Sequence, residues 1–437
     1  MLPHDWTDAN ISSIHKKGSK LSPNNYRPIS LTSQIIKLME RLILDHINNL
    51  LQRNNTINCV QHGFQDKCSC VTQLLDCLND WTINFDQSRE TDIIYLDFKK
   101  AFDTVPHQRL LHKLRQVGVR GKILYWIENF LTSRRQRVIL KNGTSSWLHV
   151  HSGVPQGSIL GPTLFLIYVN DLPEIISTTA KMFADDTKIY AKIQSIQDCI
   201  NLQNDLNALS AWSRKWLLNF NESKCIVVRI RHSLLYQYTL KGFPLDELKN
   251  QKDLGITISN DLHPSTHISY ISSKANQRIG LIKRCFFPLT NQKVQLLYES
   301  IIRPLLEYGS PVWNPWLKKD IHELDKIQDR CLKLAPIPPN LPSLQVRRNM
   351  LDLCEVYKYL HGYYKIGAPT YFTFPNRQLR GHSYKLSKIF SRTDVRKYFF
   401  SNRVVDAWNA LPEDVVTAPN LDAFKKKLRS LSEDEEG

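Results

Sequence analysis

A chain of 437 residues with 42% hydrophobic side chains can bury a large core, and its length suits roughly two to four subdomains. Its formal net charge of +17 and pI near 9.4 are an excess of Lys and Arg expected of a protein that tracks a phosphate backbone. Other classes are disfavoured: the longest apolar stretch, Leu160 to Val169, is too short to span a bilayer, Met1–Lys20 is unlike a secretory signal, and the nine cysteines lack the usual zinc spacings.

The spacing predicts a helix over Leu31 to Leu51, with Ile35, Leu38, Leu42 and Ile43 as its apolar positions. Strand-like runs then alternate with helix-like ones. The strand-like runs are Ile93–Leu96, Arg137–Leu140, Met182–Tyr190 and Cys225–Ile230, and the helix-like ones His107–Val117, Lys122–Leu131, Leu160–Leu172 and Gln197–Leu217. This order suits an α+β sheet with helices on one face. Short strands and turns are expected over residues 236–265. Residues 266–335 read as mostly helical, broken at Pro304, Pro311 and Pro315, with Tyr308, Trp313 and Trp316 in a core. Pro336 to Pro342 reads as a linker. The remainder reads as helical, with Val395, Phe399, Val404 and Trp408 on one face, then Leu421, Phe424 and Leu428. The acidic end, Glu433-Asp434-Glu435-Glu436, reads as frayed. There is no internal repeat.

The basic residues are spread along the chain: Lys16-Lys17, Arg134-Arg135-Gln136-Arg137 and Lys425-Lys426-Lys427 lie far apart. Cys68, Cys70 and Cys77, with His62 before them, read as free buried thiols in a reducing compartment rather than a metal site. No membrane partner is expected. The compartment reads as intracellular, with nucleus and cytoplasm undistinguished.

The most informative residues are Phe183-Ala184-Asp185-Asp186. Two adjacent carboxylates between strand-like segments read as acids at the tip of a β-hairpin. They repel each other unless a cation lies between them, and carboxylate-held divalent metals are the usual catalysts of nucleotidyl transfer. Taken alone, Asp-Asp reads far more readily as a turn; the rest of the chain reverses that. A further acid, Asp97, ends the buried strand Ile93–Leu96. If that strand lies beside the hairpin, three acids meet at one sheet edge, a ligand set for two hard cations. Otherwise Asp97 starts a turn and Asp103 caps the helix over His107 to Val117, whose first turn suits Pro106.

The blocks Asn25-Tyr26-Arg27-Pro28-Ile29-Ser30-Leu31, Gln61-His62-Gly63-Phe64, Tyr95-Leu96-Asp97-Phe98-Lys99-Lys100-Ala101-Phe102-Asp103, Gly153-Val154-Pro155-Gln156-Gly157-Ser158, Phe183-Ala184-Asp185-Asp186, Asn219 to Lys224 and Leu254-Gly255-Ile256 come in one order. That series resembles the reverse transcriptases of non-LTR, LINE-type retrotransposons, most of all the jockey-like groups. The resemblance implies a right-hand polymerase of α+β class, with fingers over 1–90, palm over 91–258, a helical thumb-like region over 259–340 and a helical C-terminal region over 341–437. It implies an RNA-directed DNA polymerase that extends a DNA primer on an RNA template with deoxynucleoside triphosphates. Its cofactor would be two Mg²⁺ ions, with Mn²⁺ as the alternative.

By the same resemblance Asp97 and Asp185 bridge the metals, Asp186 supports them, and the Phe98 carbonyl completes one coordination sphere. Phe102 lies under the incoming sugar and excludes a 2′-hydroxyl, or else is a core aromatic. Gln156 lies beside the incoming nucleotide and the template base, or else its neighbours merely shape a turn. Arg27 and Lys17 grip the triphosphate, and Lys224 protonates the departing pyrophosphate; both lysines also read as solvated surface residues. Relatives continue the second block with an arginine and small residues, whereas Gln65-Asp66-Lys67-Cys68-Ser69-Cys70 stands here. Relatives also carry a long upstream region with an endonuclease, so this chain reads as a truncated copy or a fragment of a longer product. The competing expectations are a catalytically decayed or co-opted nucleic-acid-binding protein with this fold, and a maturase-like RNA scaffold.

Overall fold

The structure is a computed structural model, which describes all residues except 1–2, 17, 232–233, 235, 376–379 and 437. Its strands, in chain order, are β1 (Asp8–His15), β2 (Tyr26–Leu31), β3 (Glu90–Leu96), β4 (Arg135–Leu140), β5 (Gly143–Thr144), β6 (Leu148–His149), β7 (Thr179–Phe183), β8 (Asp186–Ile193), β9 (Ile226–Ile230), β10 (Thr239–Leu240), β11 (Phe243–Pro244), β12 (Asp246–Glu247), β13 (Asn250–Asp253) and β14 (Ile256–Ser259). Two sheets dominate. An N-terminal sheet runs β2-β1-β4-β5, with β6 also on β4. The central sheet runs β12-β9-β3-β8-β7, with β3 in the middle and antiparallel to both neighbours.

The β3 sequence lacks a polar-apolar alternation because both of its faces are covered. Successive side chains point to opposite sides. Ile93 and Tyr95 join one hydrophobic cluster with Leu74, Leu78 and Trp81 of the helix Cys70–Asp86. Ile94 and Leu96 join a second cluster with Leu164 and Phe165 of Gly161–Val169 and with Leu202, Leu206 and Trp212 of Ile196–Trp216. Helices therefore cover both faces, where one was expected.

The helix Gln34–Arg53 turns over relative to expectation. It buries Ile36, Glu40, Ile43, Ile47 and Leu51. Ile35, Leu38 and Leu42 are 63%, 67% and 62% exposed. The helix carries two apolar stripes, and the buried one contains an acid. Glu40 is tolerated there because its carboxylate accepts the N–H groups of Ile159 (2.7 Å) and Leu160 (3.0 Å), orphan donors at the start of Gly161–Val169.

Beyond β14 the chain is helical, from Ser265–Cys285 to Leu421–Glu436. Pro311 stands in the first turn of Ser310–Trp313, where a missing N–H costs nothing. Pro304 does not break the helix as expected but follows the π-helical turn Tyr298–Ile302 within a continuous helical run over residues 291–307. Trp313 is core, and Trp316 is half-buried, stacked on Tyr398 at 5.5 Å. Tyr308 departs from expectation: it is 48% exposed and its hydroxyl donates to the Leu254 carbonyl at 3.0 Å.

Residues after the proline-rich stretch do not form a separate unit. Trp408, Phe424, Tyr357 and Leu344 belong to the same cluster as Trp81 and Ile93. Arg396 donates to Asn79 (3.1 Å) and Thr82 (3.0 Å), and Asp86 accepts the N–H groups of Arg392 and Thr393. The expected face is buried at Val395, Phe399, Val404, Trp408, Phe424 and Leu428, but short helices separated by turns carry its first part. Cys77, Cys199, Cys225, Cys331 and Cys354 are buried free thiols, whereas Cys68 and Cys70, expected to be buried, are only half-buried beside the start of the helix Cys70–Asp86. Among the described residues no helix is long and apolar enough to cross a membrane.

Candidate active site

The hairpin β7–β8 closes on the pair Phe183↔Asp186, which leaves Ala184 and Asp185 as a two-residue turn. The last β3–β8 pair is Leu96↔Thr187. Continuing that register sets Asp97 beside Asp186. Asp97, Asp185 and Asp186 thus gather at one end of the central sheet.

Their electrostatics reflect that crowding. Loss of hydration raises the Asp185 carboxyl above the usual range, its own backbone N–H opposes this, and the Asp97 charge adds to it, while Arg27 and Lys16 pull it back. Asp186 is pushed up to about 6, first by desolvation, then by the charges of Asp185 and Asp253, with Lys188 opposing. Behind Asp186, Lys188 forms a buried ion pair with Asp253.

Asp97 has a rigid seat. Its carbonyl accepts the Asn221 N–H at 2.7 Å. Phe98 bridges to Phe220, and the two rings stack at 4.6 Å. Lys224 donates to the Asp97 carboxylate at 3.1 Å, so this predicted residue stands at the acid cluster. Glu222 holds Lys99 and Lys241, which depress its carboxyl to about 2.

Asp103 does not cap a helix. The helix His107–Gln116 starts after Pro106 without a side-chain cap. The Asp103 carboxylate instead accepts from the Gln156 amide at 2.7 Å. That bond joins the third and fourth blocks. Gly153 permits the approach: its φ is +94°, and a Cβ would fall 2.7 Å from the Asp103 carbonyl oxygen. Ser30 of β2 donates its N–H to the Gln156 carbonyl at 2.7 Å, so the loop also touches the N-terminal sheet. Phe102 is half-buried, with one face stacked on Phe165 at 4.5 Å. Arg27 is exposed on β2. Lys17 lies outside the described residues.

Several contributors went unnoticed at the sequence level. Lys16 acts on Asp185 and Asp103 by its charge, and nothing distinguishes it from Lys17 in a Lys-Lys pair. The Lys188–Asp253 pair joins residues far apart in sequence and has no local signal. Gln61 lies buried against the hairpin tip; its signal is the Gly63 two residues on. The Gln65–Cys70 segment is held by the C-terminal region: Lys67 donates to the Gly362 carbonyl at 3.3 Å and Lys365 to the Gln65 side chain at 3.1 Å. Its Ser69 caps the helix Cys70–Asp86 in a reciprocal bond with Thr72.

The donor set suits a hard divalent cation: three carboxylates, two of them held above their usual range first by desolvation and then by the charge of a neighbouring acid. Among the described residues, no three His, Cys, Asp or Glu side chains already stand in a coordinating cluster, and the Lys224 ammonium lies on Asp97.

The model of the reverse transcriptase (RNA-dependent DNA polymerase) family matches residues 14–259. Over 355 residues the chain is 28% identical to a probable RNA-directed DNA polymerase from transposon BS of Drosophila melanogaster, covering 76% of this chain and 38% of that protein. Over 368 residues it is 29% identical to the RNA-directed DNA polymerase from mobile element jockey of the same species, covering 80% and 40%. The chain therefore spans about two-fifths of the length of these relatives. Among solved structures, an apo telomerase from Candida Tropicalis is similar at a TM-score of 0.43 and 12% identity, over 79% of this chain and 66% of that one. The family match spans more than half of the chain and takes in all the acids at the sheet end. These two Drosophila relatives are RNA-directed DNA polymerases of mobile elements, and this chain belongs to the reverse transcriptase family.

Proposed function

We propose that this chain is an RNA-directed DNA polymerase of a retrotransposon, extending a DNA primer on an RNA template. The carrying observation is the gathering of Asp97, Asp185 and Asp186 at one end of the central sheet in a chain of this family. Residues 1–90 serve as fingers, 91–258 as palm, 259–340 as thumb and 341–437 as a supporting helical region.

Attack of the primer 3′-oxygen on the α-phosphorus forms the new phosphodiester bond and expels pyrophosphate. Asp97 and Asp185, with Asp186 in support and the Phe98 carbonyl, would hold two Mg²⁺ ions, whose charge neutralises the phosphate and acidifies the attacking hydroxyl. Arg27, with Lys16 and Lys17, offers its guanidinium to the triphosphate oxygens. Lys224 is the ammonium placed to give the leaving pyrophosphate its proton. Gln156, fixed by Asp103, borders the nucleotide, and Phe102 lies under its sugar.

The test is primer extension by purified protein on an RNA template with deoxynucleotides and Mg²⁺. Template-dependent extension is the expected result. Hybrid binding without extension would favour a catalytically decayed, nucleic-acid-binding protein. In either case affinity for an RNA–DNA hybrid should fall steeply with added salt as counterions are released.

A further inference from the structure

The turn that carries Asp185 is strained. Ala184 has φ +57°, a left-handed conformation that costs an L-residue about 1 kcal/mol or more and persists only where the surroundings impose it. Its N–H lies in a two-residue turn and has no partner in the strand ladder. A buried N–H needs one.

Gln61 supplies both the partner and the constraint. Its side-chain oxygen accepts the Ala184 N–H and the Gly63 N–H, each at 2.8 Å. Its amide nitrogen lies 3.5 Å from the Ala184 carbonyl. The side chain is therefore tied to both ends of the Ala184 residue, and Gln61 is only 5% exposed. The segment around it lies along the hairpin as an added edge: Met182 N–H donates to the Val60 carbonyl at 3.0 Å and His62 N–H to the Met182 carbonyl at 2.9 Å. Gly63 makes the approach feasible, since a Cβ there would lie 2.3 Å from the Ala184 nitrogen and 2.8 Å from the Phe183 carbonyl carbon.

We infer that Gln61 is a positioning residue that fixes the Ala184–Asp185 turn and so the placement of the Asp185 carboxylate for nucleotidyl transfer. This rests on the polymerase reading above, although the clamp itself does not. Gln61 touches no reacting atom; it acts through the turn. A misplaced carboxylate lowers the rate of the chemical step and leaves remote binding of template and primer intact.

The experiment compares wild type, Gln61→Met and Gln61→Glu. Met matches the length of Gln and removes the acceptor; Glu keeps an acceptor oxygen at the same reach. Two readouts are taken: hydrogen exchange of the peptide spanning residues 179–190 in the metal-free protein, and single-nucleotide extension with Mg²⁺. For Gln61→Met we expect faster exchange confined to that peptide, kcat lower by about 100-fold, and unchanged hybrid affinity. For Gln61→Glu we expect exchange near wild type and a kcat above that of Gln61→Met. Unchanged exchange in a folded Gln61→Met protein, or equal loss of kcat in both variants, would overturn the inference. Should Gln61→Met not fold, Gln61→Glu decides alone: a protected turn supports the clamp and an exposed one overturns it. If wild type shows no extension, the polymerase reading fails while the exchange arm still judges the clamp.

Discussion

The acid-bearing end of the central sheet and the C-terminal aromatic core are built on opposite terms. At the sheet end, like charges crowd one another, Ala184 is strained, and a few hydrogen bonds hold the loops, accepted by the Gln61 side chain and donated by that of Gln156. In the core, Trp408 and Phe424 are fully buried, Tyr357 stacks on Phe424 at 4.4 Å, and the Trp408 indole donates to the Tyr384 carbonyl at 2.8 Å. The first region is arranged against its own stability and the second for it. The difference teaches that chemistry and stability should separate under mutation.

The sharpest break of that comparison is Asp185→Asn. It should lower extension by about 10³-fold or more and leave the melting temperature unchanged or higher, because one of the mutually repelling acids is neutralised. A large fall in melting temperature would contradict the separation. Trp408→Ala is the mirror experiment. Deleting a fully buried indole should cost about 3–5 kcal/mol of unfolding free energy, seen in denaturant titration, while kcat per folded molecule stays the same.

Phe102→Ala tests a residue that combines the two characters, since its ring stacks on Phe165, a core residue of the helix Gly161–Val169. It should keep polymerase activity and raise the ribonucleotide kcat/KM relative to the deoxynucleotide by about 10- to 200-fold, a steric difference of about 1–3 kcal/mol. An unchanged ratio in an active variant would make Phe102 a purely packing residue.

A smaller effect is expected with pH. Burial depresses both His62 and His267 from 6.5 to about 4. Each is neutral in the folded protein, and Asp76, near His62, is already engaged by Lys181. The unfolded state binds protons first, so the stability they contribute is present above about pH 6.5, declines as pH falls, and is lost near pH 4. His267→Gln should flatten the fall in melting temperature across that window, measured by thermal melts at stepped pH. The finest test uses two adjacent residues of one helix. Ile43→Ala should cost about 2–5 kcal/mol, and Leu42→Ala about 0.5 kcal/mol or less.

That last pair marks where a sequence stops being readable. Leu42 and Ile43 are equally apolar and both fit a helical period. The buried stripe includes Glu40, which the local pattern counts as polar and which accepts the N–H groups of Ile159 and Leu160, more than a hundred residues away. The strands around Ile93–Leu96 and Cys225–Ile230 were readable because buried, β-branched runs are specified locally. That helices cover both faces of their sheet was not, since a helix does not record which side it packs on.

By itself the sequence determined the family, the order of its blocks, the basic excess and the acids at strand ends, because these are properties of residue type and spacing. Only the tertiary structure decided which groups meet. It set Asp103 on Gln156, Lys224 on Asp97, Gln61 on Ala184 and the C-terminal region on the Gln65–Cys70 segment. Each of these contacts joins residues whose separation carries no local preference, so only the packing of the complete chain selects them.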